Sequence, residues 1–250
     1  MTIVCVLADP PRPGLVLPEL VATAPVSAEA AADLYVAALR DVCRAAEASG
    51  GDLLVNYRPD EAIPEAHVPA GADAEREVRE AVEPALDDDA RYEVQVGETF
   101  AGRAGNTVTH LLDEEGAASA AVTTPAAAFC ARQQIDEAAM KLRRAPVVVG
   151  PSTGGRVYFA GFTDTIDFQG AYTPPALRTL TDGARDAGHE VGYLQTLPVL
   201  ETAADLAEAL LQVETRRAAG RPVPGHVATW LDESGLTAVA GAGGLALAGE

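Results

Sequence analysis

The sequence predicts a three-layer α/β/α fold in which a mostly parallel sheet is covered by helices on both faces. Short apolar runs of strand length alternate with segments of helical periodicity from Ile3 to about Ala219. Connections of this length and type suit parallel strands buried on both sides. With 48% hydrophobic residues and 22% charged residues in 250, the chain has enough apolar material for one sizeable core.

Each element has its own signal. Ile3–Ala8 is a short buried strand, and Asp9–Gly14 (DPPRPG) is a stiff loop. Ser27 caps a helix that runs to about Ser49, with Ala31, Leu34, Tyr35, Ala38 and Val42 on one face and Gly50 at its end. Asp52–Tyr57 is the second strand. The acidic stretch Asp60–Asp89 holds one helix, Asp73–Val82, and reads as a surface excursion. Tyr92–Val96 is a strand, and Thr99–Glu115 is a helix weakened by Gly102 and Gly105. Ala118–Thr123 is a strand and Phe129–Arg143 a helix. Pro146–Val149 and Val157–Phe162 flank a glycine-rich loop. Thr173 caps a helix with Pro174 and Pro175 in its first turn and Gly188 beyond its end. Glu190–Gln195 is a strand, and Thr202 caps a last long helix to about Ala219. These elements form one domain over residues 1–219. Residues 220–250, with Pro222, Pro224 and a short helix around Trp230, form a C-terminal extension.

Composition narrows the partners. The formal net charge is −19, and Lys141 is the single lysine. Such a surface suits a salty cytoplasm, where a Debye length of ~3 Å at 1 M salt screens self-repulsion. No basic patch exists for nucleic acid or an anionic membrane. The Ala/Gly/Leu tail after Gly235 is too short and too glycine-rich to span a bilayer, and Ile3–Ala8 is too short for a signal peptide. A cytoplasmic protein is expected. Cys5, Cys43 and Cys130 lack metal-ligand spacing and read as buried thiols. His67, His110, His189 and His226 have no partner at catalytic or metal spacing, and Ser152 lacks a nucleophile elbow. The run Asp87-Asp88-Asp89 reads as a solvated charge cluster.

The most informative segment is Ala145–Gly161 (APVVVGPSTGGRVYFAG), a strand, a glycine-rich loop and a strand. Loops of this kind let backbone N–H groups approach a phosphate. In a parallel sheet, ligands bind beyond the carboxyl ends of the strands, where Asp9–Leu17, Thr123–Pro125 and Gly150–Gly155 would meet.

Those loops, in that order, resemble the DUF2064 family (radical-SAM/selenodomain-associated transferase 1-like) over roughly Ile3 to Leu206. The quoted pieces are Pro11-Arg12-Pro13-Gly14, Gln95-Val96-Gly97 through Gly102-Arg103, Gly150-Pro151 with Tyr158 and Gly161, Phe168-Gln169-Gly170, Tyr172-Thr173, and Leu200-Glu201-Thr202 with Asp205-Leu206. The resemblance implies a GT-A, nucleotide-diphospho-sugar transferase-like fold. It also implies glycosyl or nucleotidyl transfer from an activated nucleotide, with Mg²⁺ or Mn²⁺ as the possible cofactor. The residues expected at a nucleotide or nucleotide-sugar are Arg12, Pro13, Gly14, Thr123, Gly150, Ser152, Thr153, Gly154 and Gly155.

The chain departs from the family where the chemistry lies. The family's basic Lys-Thr-Arg is Leu17-Pro18-Glu19 here, and its Asp-x-Pro is Thr123-Thr124-Pro125. Its Gly-Pro-loop Asp is Gly154, and the carboxylates of its Asp-Ile-Asp-Thr become Val199 and Glu201. A diphosphate needs a carboxylate-held cation or basic side chains. No metal ligands and no catalytic residue are therefore assigned, although Asp9, Glu19 and Glu201 remain as carboxylates. Three readings stay open at this point. One is a fold-retaining relative with reduced or lost transfer, including a non-catalytic nucleotide- or partner-binding protein. Another is a rewired transferase that uses Glu201 or Asp9 with Arg12. The third is a different α/β protein.

Salt adaptation gives a direct expectation. The melting temperature will be higher in multimolar KCl than at ~0.1 M salt. Equal values by differential scanning calorimetry would contradict it.

Overall fold

The computed structural model describes residues 1–241 and 244–249. Its strands are β1 (Thr2–Ala8), β2 (Asp52–Tyr57), β3 (Arg91–Val94), β4 (Ser119–Thr123), β5 (Val147–Pro151), β6 (Val157–Phe162), β7 (Val191–Tyr193), β8 (Leu236–Gly241) and β9 (Gly244–Gly249). Its helices are α1 (Pro18–Thr23), α2 (Ala28–Glu47), α3 (Ala74–Val82), α4 (Phe100–Thr109), α5 (Arg132–Lys141), α6 (Ala176–Asp186), α7 (Ala203–Ala218) and α8 (Gly225–Glu233).

The main sheet has seven strands in the order β3-β2-β1-β4-β6-β5-β7. The pairs β3/β2, β2/β1, β1/β4 and β5/β7 are parallel, while β6 runs antiparallel to both neighbours. The chain leaves β1 toward β2 on one side and later returns to β4 on the other. The loops after β1 and β4 therefore diverge, which opens a crevice at their carboxyl ends.

Strand alternation sorts the core. Val4, Val6 and Ala8 pack under α2, α3 and α5 with Leu39, Val78 and Ile135. Cys5 and Leu7 face the opposite layer, with Val108 of α4 and Leu180 of α6. Burial pushes the thiols of Cys5 and Cys43 well up and that of Cys130 to about 12, so none is a poised nucleophile.

Helix α2 is buried on two sides. Its second face, with Ala31, Leu34 and Ala38, packs against α1, α7 and α8 through Leu20, Leu206, Val213, Val227 and Leu231. This explains its small-residue, nearly all-round apolar sequence. Residues of the 220–250 extension thus share a core with α2. Of that extension, Ala242, Gly243 and Glu250 lie outside the described residues. No described helix is long and apolar enough to cross a membrane.

Several elements differ from expectation. Helix α4 ends at Thr109 and continues as a π-helical turn, His110–Glu114. Gly105 lets the Phe168 ring approach where a Cβ would come within 2.7 Å, so the glycine serves packing. Helix α5 begins at Arg132, because Pro125–Ala127 forms a separate 3-10 turn. Thr173 does not cap α6, whose N-cap is Pro175, and its carbonyl instead accepts from Thr179 Oγ1 at 3.0 Å. Thr202 does cap α7, in a reciprocal pair with Asp205, and α8 is the short helix expected around Trp230, but an antiparallel β8–β9 pair follows it. That pair is rich in Ala, Gly and Leu, with single Thr and Val residues and no polar–apolar alternation in β9.

Candidate functional site

Two adjoining cavities lie at the carboxyl ends of β1 and β4. The first, about 270 Å³, is lined by Leu7, Leu17, Phe100 and Pro125 on its apolar side and by Asp9, Tyr35, Gln95 and Arg103 on its polar side. The second, about 340 Å³, lies between Gly154, Gly155 and Arg156 on one wall and Tyr172, Pro174 and Pro175 on the other. Phe100, Thr124 and Glu201 line both, so the two form one continuous cleft. Among the described residues, Leu17 (φ 49°) and Tyr172 (φ 62°) are the non-glycine residues with positive φ, and both face this cleft. Backbone held in that region is costly and tends to gather at binding sites.

The first cavity has an unusual charge arrangement. Arg103 is 8% exposed, and its Nε is buried without a partner. Its one hydrogen bond is from Nη1 to the Glu98 carbonyl at 3.3 Å. Arg58 likewise has a buried, unpartnered Nε, and its Nη1 lies 3.8 Å from Asp9 Oδ2. Burial, with the neighbouring Arg58 charge, lowers the Arg103 pKa. Burial raises that of Asp9, against the pull of Arg58 and Arg103. Two guanidiniums with unpartnered donors thus lie near one desolvated carboxylate, while Glu19 and Glu201 line other parts of the same cavity. Gln95 is fixed by donating to Ala8 O at 3.1 Å and Asn56 O at 2.6 Å. Tyr35 Oη accepts from the Asp9 N–H at 2.8 Å, which ties α2 to the loop after β1.

The second cavity is organised by Arg156. Its Nη1 donates to Glu201 Oε2 at 3.0 Å and Asp205 Oδ2 at 2.6 Å. Its Nη2 donates to Asp205 Oδ1 at 2.6 Å and Thr153 Oγ1 at 3.0 Å, and its Nε donates to Thr153 O at 3.0 Å. All five N–H donors end on protein oxygens. Burial alone would raise the Asp205 pKa, but Arg156 and Thr202 outweigh it and hold the carboxyl below its ordinary value.

The residues expected from sequence divide between the cleft and its surroundings. Thr123, Gly154 and Gly155 line the second cavity. The two glycines have φ of 69° and 73°, and a Cβ on Gly155 would meet Pro175 at 2.8 Å. Thr153 orients Arg156. Ser152 is buried, with its Oγ unpartnered. Gly150 makes room for the Tyr158 ring, which a Cβ would meet at 2.6 Å. Arg12 is turned away and 6% exposed. Its guanidinium donates to Glu77 at 2.8 and 2.9 Å, to Asp60 at 2.6 Å and to the His67 carbonyl at 3.0 Å. Arg12 therefore anchors the loop after β1 to the acidic excursion, and neither it nor the exposed Pro13 and Gly14 line either cavity. The segment Gln95–Arg103 does reach the cleft, whereas Arg58 carried no sequence signal.

The residues do not fit a divalent ion in the cleft. The Thr123 hydroxyl is engaged by the Tyr158 carbonyl at 2.8 Å, and Gly154 has no side chain. Glu201 and Asp205 are bridged by Arg156, Asp9 lies against Arg58, and Glu19, which lines the first cavity, is not grouped with other ligand atoms. Among the described residues, the cluster with ligand atoms within 4.8 Å of one another is Glu93, His110 and Glu115, none of which lines either cavity of the cleft. There Arg91 bonds both glutamates. His110, isolated in sequence, lies 3.0 Å from Glu114 and 3.1 Å from Glu115, because the π-helical turn brings those residues to it.

Comparison with solved structures identifies the fold. A protein named as a candidate nucleotide-diphospho-sugar transferase from Desulfovibrio desulfuricans G20 superposes with a TM-score of 0.73 at 18% identity, over 93% of this chain and 94% of that one. A cytidylyltransferase from Leptospira borgpetersenii serovar Hardjo-bovis (strain JB197) gives a TM-score of 0.51 at 8% identity, again over 93% and 94%. The chain therefore has a nucleotide-diphospho-sugar transferase-like fold. No family model matches the sequence, and no curated protein matches it.

Because Asp205 is 6% exposed and its carboxyl is held low, Asp205→Asn should cost roughly 2–4 kcal/mol at pH 7. The carboxylate's contribution is present above the ordinary value of 3.8 and is lost as the pH falls through the lowered folded value. The gap between wild type and variant should therefore close in acid. Urea unfolding at several pH values checks this, and a gap independent of pH would contradict it.

Proposed function

We propose that this chain is a DUF2064-like protein that binds a nucleotide or nucleotide-sugar in the cleft without a divalent cation, and that its glycosyl or nucleotidyl transfer is reduced or lost. The observation that carries the reading is Arg156. Its guanidinium bridges Glu201 and Asp205, with no donor left for a ligand. Two carboxylates with one guanidinium leave that wall with one negative charge, which disfavours a phosphate there. Arg103, with Arg58 behind it, offers the unpartnered donors. The phosphate chain is accordingly assigned to the first cavity.

The other walls suit the rest of such a ligand. Phe100, Pro125 and Tyr172 are flat apolar surfaces for a base or sugar ring. The glycine loop at Gly154–Gly155 allows close backbone approach. The solved structures of similar fold are named for nucleotide-sugar and cytidylyl chemistry, which supports a nucleotide as the ligand class. Weak transfer follows from carboxylates that are taken up by Arg156. Charge developing on a leaving diphosphate would meet one buried arginine and no metal.

Calorimetric titration of nucleoside triphosphates and nucleotide-sugars, with EDTA and with Mg²⁺ or Mn²⁺, tests this reading. Binding should occur in EDTA and change little with metal. Arg103→Gln should weaken it at least tenfold, a change of about 1.4 kcal/mol. Binding that requires metal, or no binding by any nucleotide, would overturn the proposal.

A further inference from the structure

A third cavity, of about 480 Å³, lies away from the cleft, between α2, the start of α5, the end of α7 and the start of α8. Its lining includes Arg44, Arg132, Arg216 and His226, with Asp41 the single acid. In a chain with 37 acidic and 18 basic residues, this local excess of arginine runs against the composition. Asp41 does not neutralise it freely. Its two oxygens accept the backbone N–H groups of His226 at 3.0 Å and Val227 at 2.8 Å, so it caps α8.

The arginines keep donors available. Among the described residues, the Arg216 guanidinium has no hydrogen bond or ion pair, and its carbon lies 5.4 Å from the centroid of the Phe129 ring. Arg132 meets one carboxylate, Asp136, through Nε at 3.1 Å, which leaves both of its terminal nitrogens. Arg44 donates Nη1 to the Ala85 carbonyl at 2.9 Å and has Asp87 at 3.8 Å from Nη2. Although Asp41, Asp87 and Asp136 stand beside these arginines, the rim presents free guanidinium donors of the geometry that takes oxyanions in pairs of hydrogen bonds. Phe129 gives it an apolar floor.

We propose that this cavity is a second binding site, for a small oxyanion with more than one negative charge, namely a phosphate ester or a polycarboxylate. The size suits a small metabolite and not a macromolecule. The assignment does not rest on the nucleotide reading of the cleft, since the two share no lining residue.

His226 is a built-in reporter, one of four histidines in the chain. The probes are inorganic pyrophosphate and citrate, titrated into the full chain at low ionic strength and followed by the histidine ring proton resonances. At least one probe should shift His226 saturably, and the shift should persist in Arg103→Gln, which disables the cleft. Arg132→Gln combined with Arg216→Gln should weaken the response at least tenfold, while Arg216→Lys, which keeps the charge, should retain most of it. A response to pyrophosphate alone assigns phosphate esters, and a response to citrate alone assigns polycarboxylates. No His226 shift with either probe, or a shift unchanged in the double variant, would overturn the proposal.

Discussion

Every N–H of the Arg156 guanidinium ends on Thr153, Glu201 or Asp205, and that saturation fastens the β5–β6 turn to the first turn of α7. Asp205 is common to this fastening and to the α7 cap, since Oδ2 also accepts from Thr202 N at 2.9 Å and Thr202 Oγ1 at 2.8 Å. One buried carboxylate thus sets the start of a helix and the wall of a cleft. The pairing also decides the chemistry. With Arg156 between them, both oxygens of Asp205 and Glu201 Oε2 are engaged, so the pair offers Mg²⁺ or Mn²⁺ little beyond Glu201 Oε1.

Positive charge is scarce in this chain and is therefore informative. Several surface arginines pair with nearby acids, as Arg79 does with Glu75 and Arg217 with Asp232. Such exposed pairs contribute little to stability. Among the described residues at or behind the cavities, Arg103 has no ion pair and a buried, unpartnered Nε, Arg58 keeps an unpartnered Nε beside its contact with Asp9, and Arg216 at the third has no ion pair. A desolvated guanidinium with free donors is costly unless an anion completes it. Free guanidinium donors are therefore what support the two proposed anion sites, one in the first cavity of the cleft and one at the third cavity.

Much of the fold is legible in the sequence because its signals are local. Ser27, Asp73 and Thr202 cap the helices they precede, and Asp52–Tyr57 is a strand to the residue. Local signals failed where a distant partner decides. Pro174-Pro175 looks like a first helical turn after Thr173, yet the helix begins at Ala176. Arg12 looks like a loop arginine free to meet a phosphate, but its partners Asp60 and Glu77 are 48 and 65 residues away. The departure from the resembled family's carboxylates was visible at Thr123 and Gly154. That Arg156 takes their remaining neighbours was not, because Glu201 and Asp205 lie 45 and 49 residues downstream. Arg58 is an ordinary residue after a strand until Asp9 and Arg103 are placed beside it.

The most direct measurement is Mn²⁺ binding by electron paramagnetic resonance, on the wild type, Arg156→Ala and the double variant Arg156→Ala with Glu201→Gln. The account predicts that Arg156→Ala gains a Mn²⁺ site that Glu201→Gln abolishes, while the wild type shows no site sensitive to Glu201→Gln. A wild-type Mn²⁺ site lost on Glu201→Gln would contradict it, because the carboxylates would then hold a metal with the arginine in place.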